Sequence, residues 1–187
     1  MHANHYMTYE QFGRKFFEVA VTEDRVAAAF AAIAGDEFEM GPIAQGPGKF
    51  ARVSAHVKIL QPQVRRTIGD TIDFAIRIPL RIDLVIDLRL DKQRFTVAGE
   101  IGLRATAKAA EPLVLIIQVA KPRPSDIRVD VSSQSIRGGL LRVIADVDGE
   151  IRRFIARYVS DEIDKPASQQ AQVIDVADRL DQAWTGV

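Results

Sequence analysis

The chain contains no cysteine in its 187 residues, which removes disulfides, thiol catalysis and cysteine-ligated metals together and is neutral as to compartment. Histidine is almost as scarce: there are three, and His2 and His5 sit at the very start. His56 alone is available in the body of the chain, so no common zinc site can be assembled from histidines. Any Ser-His-acid set would have to run through that one residue. There is also no excess of charge, since 25 Lys and Arg balance 25 Asp and Glu. No net field draws the chain to nucleic acid or to an anionic surface, and no basic stripe with interleaved aromatics suggests a nucleic-acid partner. No apolar run approaches the roughly 20 residues of a membrane span. Residues Met1 to Thr8 lack the basic start and apolar core of a secretory signal. The expectation is a soluble, cytoplasmic protein whose residues 1–7 form a disordered extension.

Glycine-rich chemistry is equally thin. Gly46-Pro47-Gly48 and Gly138-Gly139 lack the spacing and following lysine of a phosphate loop. No glycine-flanked serine resembles a nucleophile elbow. Asp146-Val147-Asp148-Gly149-Glu150 lacks the leading aspartate and terminal glutamate of a calcium loop, and it lies within a helical period in which Asp148 and Arg152 form an i,i+4 pair. No catalytic residue, metal or cofactor is expected. An enzyme built on His56 and nearby acids stays as a minor reading.

What the chain has is alternation. From Ile72 to Leu90 every even position is a large apolar residue, and the odd positions carry Asp73, Arg77, Arg81, Asp83, Asp87 and Arg89. Period two marks a strand with one dry and one wet face. Interleaved signs on the wet face read as a solvated surface that resists edge pairing. At about 3.3 Å per residue the run would stretch roughly 60 Å. A domain of this length is only about 40 Å across, so the strand must bend, and a bulge or bend at Pro79 fits. The inward set changes from even to odd across Asp91–Arg94, as a hairpin requires. After it come Phe95, Val97, Gly99, Ile101, Leu103, Ala105, Ala107 and Ala109. The expected register pairs Leu90 with Phe95, Leu88 with Val97, Leu84 with Ile101 and Ile82 with Leu103.

The remaining elements follow from caps and periods. Thr8 to Gln11 reads as a capping box opening a helix toward Val19 or Val21, although Phe16 to Val21 equally fits a short strand. Thr22 caps a second helix with a stripe of Val26, Phe30 and Ile33, stopped by Gly35. A loop is expected next, punctuated by Gly41-Pro42 and Gly46-Pro47-Gly48. Ala51 to Ile59 alternates as a strand, and Gln61 to Asp70 reads as a connection. Leu113 to Ala120 is apolar on both sides, so central or covered, and Ile127, Val129 and Val131 form a last strand. Past Gly138-Gly139 the period turns helical: Leu140, Leu141, Ile144, Val147, Ile151, Phe154, Ile155, Tyr158, Val159 and Ile163 make an amphipathic stripe ending at Asp164. A final short helix is expected over Val173 to Trp184.

The result is an α+β fold in a single domain, 1–187: helices over 8–35, a long, strongly bent antiparallel sheet over 49–132 wrapped around a long C-terminal amphipathic helix at 139–164, and a short helix at 173–184. Laying the dry sheet face on the dry helix stripe buries both. The small residues Gly99, Ala105, Ala107 and Ala109 leave room either for close helix approach or for an apolar ligand. Arg152, Arg153 and Arg157 read as a solvated helix face with Asp148 and Asp161 as partners.

This order of parts, from Thr22 to the helix Gly139 to Asp164, resembles the tubular lipid-binding (TULIP) superfamily, whose members hold lipids or other hydrophobic molecules between sheet and helix. Ala109-Ala110-Glu111-Pro112-Leu113 and Arg152 to Tyr158 also resemble uncharacterised actinobacterial proteins, which supplies no function. The expected function is non-enzymatic binding of a lipid or other apolar small molecule. The candidate contacts are Phe74, Ile76, Ile78, Leu80, Ile82, Leu84, Phe95, Ile101, Ile151, Phe154 and Tyr158, with the Tyr158 hydroxyl orienting a polar end. The alternative is a structural or assembly protein whose dry face is completed by a homodimer or a partner protein.

Overall fold

The computed structural model describes residues 5–31, 33–45, 47–130 and 138–185. Helix α1 (Tyr9–Ala20) opens on the expected capping box, with Thr8 and Gln11 each bonding the other's backbone N–H. The acidic first turn of α2 (Glu23–Ala31) follows Thr22, whose hydroxyl accepts from the Arg25 N–H at 3.3 Å. Strands β1 (Glu37–Gln45), β2 (Ala51–Ile59), β3 (Gln63–Ile68), β4 (Ile72–Asp87), β5 (Lys92–Ala110), β6 (Val114–Val119) and β7 (Ile127–Asp130) come next. Helices α3 (Gly138–Asp164) and α4 (Pro166–Ala171), strand β8 (Val173–Asp175) and helix α5 (Val176–Thr185) complete the chain. Residues 1–4, most of the expected N-terminal extension, lie outside the described residues, as do Val131 and the side chains of Leu140, Leu141 and Ile144.

The strands form one antiparallel sheet in the order β1-β2-β4-β5-β6-β8, with β3 also paired to β4 and β7 to β5. The sheet curls strongly into a half-barrel, and with the helices it makes an α+β fold. Its spine is the β4–β5 pair, in register without interruption from Ile72 opposite Ala107 to Asp87 opposite Lys92. Each spine strand then has two outer partners. β2 takes Leu80–Asp87 and β3 takes Ile72–Arg77 of β4, while β7 takes Ala98–Ile101 and β6 takes Ala105–Ala110 of β5.

Pro79 stands where β4 passes from one partner to the other. Its carbonyl accepts from the Leu60 N–H at 2.9 Å, so in an extended strand its nitrogen faces the same side, the gap between β2 and β3. No ladder bond is lost there, and the proline needs no bulge in β4. The extra residue lies on the other side of the gap, where Leu60, Gln61 and Pro62 face Ile78 and Pro79.

Four expectations need correction. The loop after Gly35 contains strand β1, because Gly41-Pro42 falls at a register shift between Met40 and Ile43 on an edge strand, where a bulge and a proline are tolerated. Gly41 has φ +100°, and a Cβ there would lie 2.6 Å from the Val53 carbonyl oxygen, so glycine is required. The connection from Gln61 to Asp70 contains β3, an edge strand of mostly exposed residues whose alternation is correspondingly weak. The β4–β5 turn comes earlier than Asp91–Arg94. It occupies Leu88–Asp91, with Arg89 at φ +68° and the Leu88 N–H donating to the Asp91 carbonyl at 2.8 Å. Leu84 therefore faces Phe95, Ile82 faces Val97, Ile78 faces Ile101 and Ile76 faces Leu103, while Leu90 sits fully exposed at the turn. Finally, Val173–Asp175 pairs with β6 as a strand, and the last helix begins only at Val176.

Within the sheet the alternation holds. Every even residue of β4 from Ile72 to Ile86 is buried, and every buried side chain among the described residues is apolar. Helix α3 brings Val143, Val147, Ile151, Ile155 and Val159 onto the concave face. This buried stripe covers only part of the sheet: α3 packs against β1, β2, β7 and the Pro124–Asp126 turn that leads into β7. On the convex face, Thr106 and Thr71 donate to Asp73 and Thr96 donates to Asp83, and these hydroxyls hold both carboxyls below the usual aspartate range. Arg152 pairs with Asp148 at 2.7 Å as expected, and Arg153 pairs with Glu150.

Gly99 explains why the inward row of β5 contains a residue without a side chain. A Cβ there would stand 2.9 Å from Ile82 Cδ1, 3.2 Å from the Arg128 carbonyl oxygen and 3.3 Å from Leu80 Cβ. The space beside it is filled by the spine strand and by the β7 backbone. Gly99→Val is expected to lower unfolding free energy by about 1–3 kcal/mol through overpacking, read as an earlier urea midpoint at unchanged m. An unchanged midpoint would contradict the close approach.

Candidate functional site

The concave face is larger than α3 can cover. Where α3 ends, the inward residues Ile78 of β4, Ile101 and Leu103 of β5, and Leu115, Ile117 and Val119 of β6 face a cavity of about 1140 Å³. Tyr158, Val159, Glu162 and Ile163 from the last turns of α3 form one wall. Lys121 Nζ donates to Asp164 Oδ2 at 2.6 Å, tying the helix end to the segment after β6. The second wall comes from Val26, Ala29 and Phe30 of α2 and from Ile33 in the turn after it. Two helices with no buried residue bank the opening. α1 contributes Phe12, Phe16 and Val19, and α5 contributes Val176 and Leu180.

The candidate contacts divide between this cavity and solid core. Ile78, Ile101 and Tyr158 line the cavity. Phe74, Ile76, Leu80, Ile82, Leu84 and Ile151 are buried in the core and lie outside the cavity lining. Phe95 and Phe154 are partly buried against the core, also outside the lining. Of the small residues of β5, Ala105 and Ala107 are buried and Ala109 is exposed, and none lines the cavity. The space arises instead where sheet and helix part. The walls missing from the expected set come from β6, α1, α2 and α5. Their signals were present in the sequence, as the two-sided apolarity of Leu113 to Ala120, which reads as a central or covered strand, and as Phe12, Phe16, Phe17 and Val19, which give the first helix a partly apolar face.

Tyr158 and Glu162 bring polar groups to the end of α3, and Lys15, Arg25, Asp36, Ser168, Gln172 and Arg179 add others from the remaining walls. The Tyr158 ring stacks on Phe38 of β1, with centroids 4.0 Å apart and planes 19° apart. Burial, and then the Glu162 and Asp36 carboxylates, push its phenol above the ordinary tyrosine range. Glu162 is also paired, accepting from Lys165 Nζ at 2.5 Å. Of the cations facing the cavity, Arg25 Nη1 donates to the Ala20 carbonyl at 2.7 Å, and Lys15 lies 3.8 Å from Glu18. His56 is far from this chemistry, on the wet side of β2 between Glu37 at 3.2 Å and Glu39 at 3.7 Å. Among the described residues no group of three His, Asp or Glu is arranged to hold a metal ion. The arrangement offers shape, a broad apolar surface and polar side chains at its edges, among them the hydroxyls of Tyr158 and Ser168.

No family model and no curated protein matches the chain. Among solved structures, it is similar to a crystal structure of lipopolysaccharide binding protein, with a TM-score of 0.38 at 12% identity. The alignment covers 86% of this chain and 39% of that one, so the chain spans well under half of that protein's length. No helix among the described residues is long and apolar enough to cross a membrane.

The chain has three tyrosines, and Tyr6 and Tyr9 are exposed. The Tyr158 phenol is expected to titrate late in ultraviolet absorbance, above the ordinary value of 10.0. Because the folded value is raised, the native state holds that proton longer, and ionisation costs stability as pH rises past the unfolded value. Tyr158→Phe should remove the late component; its persistence would contradict the assignment.

Proposed function

We propose that the protein binds a lipid or other apolar small molecule, without catalysis, in the cavity between the concave sheet and the helices. The observation that carries this reading is the pairing of an apolar cavity of about 1140 Å³ with banks whose large apolar residues stay exposed. Phe12 is 59% exposed and Val19 58%, although both face inward over the cavity. A folded chain buries such a row against something, and among the described residues no side chain fills the space below it. The volume is slightly above the usual range of about 300–1,000 Å³ for small-molecule sites.

The chemistry defines the ligand class. Each methylene removed from water contributes about 0.8 kcal/mol, against an association cost of at least about 4 kcal/mol. A ligand therefore needs on the order of ten apolar carbons to bind usefully. Its hydrocarbon part would lie along Ile78, Ile101, Leu103, Ile117 and Val119, with the polar end toward Tyr158. The assembly reading, in which a second copy covers the same banks, draws on the same exposed residues but leaves the space beneath them unfilled.

Ile117 is partly buried, lines the cavity and projects from a strand paired on both sides, so its enlargement should fill space with little effect on the sheet. Ile117→Trp is expected to weaken binding of the neutral fluorescent probe N-phenyl-1-naphthylamine at least tenfold in an equilibrium titration, with cooperative thermal unfolding retained. Equal affinity in a folded variant would contradict this location. A wild-type protein that binds no probe and sediments as a dimer would favour assembly.

A further inference from the structure

Helix α1, like α5, has no buried residue. Phe17 and Ala20, toward its C-terminal end, pack in part against the core, while a Cβ placed at Gly13, midway along it, would meet nothing within 4 Å. Among the described residues, its polar ties to the rest of the chain gather at its C-terminal end. Arg25 Nη1 donates to the carbonyls of Ala20 at 2.7 Å and Val19 at 3.4 Å, while Arg66 Nη1 on β3 donates to those of Glu18 at 2.7 Å and Val21 at 2.5 Å. These are the carbonyls that a helix end leaves without partners, and cationic donors suit the negative end of its dipole. At the other end the capping box between Thr8 and Gln11 is internal to the helix. Both ends are thus satisfied by groups that need not move when the body of α1 does. Val21, buried at the joint, has left helical geometry at φ −113° and ψ 89°, and α2 begins two residues later.

We propose that α1 is a gate over the cavity, pivoting at Val21–Thr22 on the Arg25 and Arg66 contacts, and that its swing sets how fast the apolar ligand enters and leaves. The proposal rests on the reading of the cavity as a ligand site. Swung inward, Phe12, Phe16 and Val19 meet the ligand and the facing bank of α5. Swung outward, they widen the opening of the cavity between α1 and α5. The cost of opening is the exposure of a short apolar row, with no buried polar group left unpaired. Such a motion belongs to the microsecond-to-millisecond range of lids.

Because the chain has no cysteine, Phe16→Cys with Leu180→Cys places unique thiols on the two banks, which a flexible bismaleimide can join. Release of N-phenyl-1-naphthylamine, followed by stopped-flow fluorescence, should slow at least tenfold in the joined protein relative to the same protein before joining. Arg66→Met, at a residue outside the cavity wall, loosens the pivot and should speed release several-fold. Release unchanged by joining overturns the gate while leaving the ligand site standing. Should the thiols fail to join, Arg66→Met decides alone, and unchanged release overturns the gate. A wild-type protein that never takes up the probe removes both readings.

Discussion

The unbroken ladder between β4 and β5 is the constraint on which the other parts depend. Sixteen residues of β4 run opposite β5 without a shift of register, so every even side chain of one strand and every odd side chain of the other is committed to the same face. A one-residue slip would turn the whole dry set toward water. Such a long pair cannot remain flat, because strands twist and the dry face must be enclosed. Dividing the outer partners between β2 and β3 on one side, and β7 and β6 on the other, lets the sheet curl without breaking the spine. Pro79 sits at the division, where its missing N–H is not needed, and Gly99 lets β7 approach the spine.

The cavity follows from an unequal match of surfaces. A curled eight-stranded sheet offers more dry area than one helix can cover. The buried stripe of α3, from Val143 to Val159, fills the part of the concave face near β1, β2 and β7. Beyond its end, Ile78, Ile101, Leu103 and Leu115 of β4, β5 and β6 border the cavity. The chain roofs that area with α1, α2, α4 and α5, which stand off from it. Protein interiors are otherwise dense and small voids are costly, and the proposed ligand site rests on an apolar space this large.

Much of this was legible in the residues, and the reasons differ by element. The spine strand, the capping box at Thr8, the helix cap at Thr22 and the period of α3 each depend on local chemistry that a sequence displays directly. The hairpin shows the limit of such reasoning. Alternation requires the inward set to change parity, and both the expected turn and the observed one at Leu88–Asp91 satisfy that rule. The choice between them rests on which residue adopts a positive φ and on where β2 and β6 end, which alternation does not encode. Strands β1 and β3 escaped because edge strands tolerate glycine, proline and charge, the very residues that otherwise punctuate loops.

The site was harder to see than the fold. A residue such as Ile82 or Ile78 carries the same signal, large, apolar and inward-facing, yet one lies in solid core and the other borders open space. The difference is set by where α3 stops relative to a sheet whose curl is a property of all its strands together. Tyr158 stood out because it brings a hydroxyl to an apolar stripe, and it does line the cavity. The aromatic row of α1 was visible as an amphipathic face, but its partner is space, and a sequence pattern does not distinguish a face that meets side chains from one that meets a void.

The central claim is that this space is occupied by an apolar molecule. Native mass spectrometry of the purified protein, followed by organic extraction, tests it most directly. The account predicts a species heavier than the bare chain, whose added mass reappears in the extract as a compound with a long hydrocarbon part. A bare chain mass, or a clean multiple of it with nothing extractable, would contradict the account and assign the exposed banks to self-association.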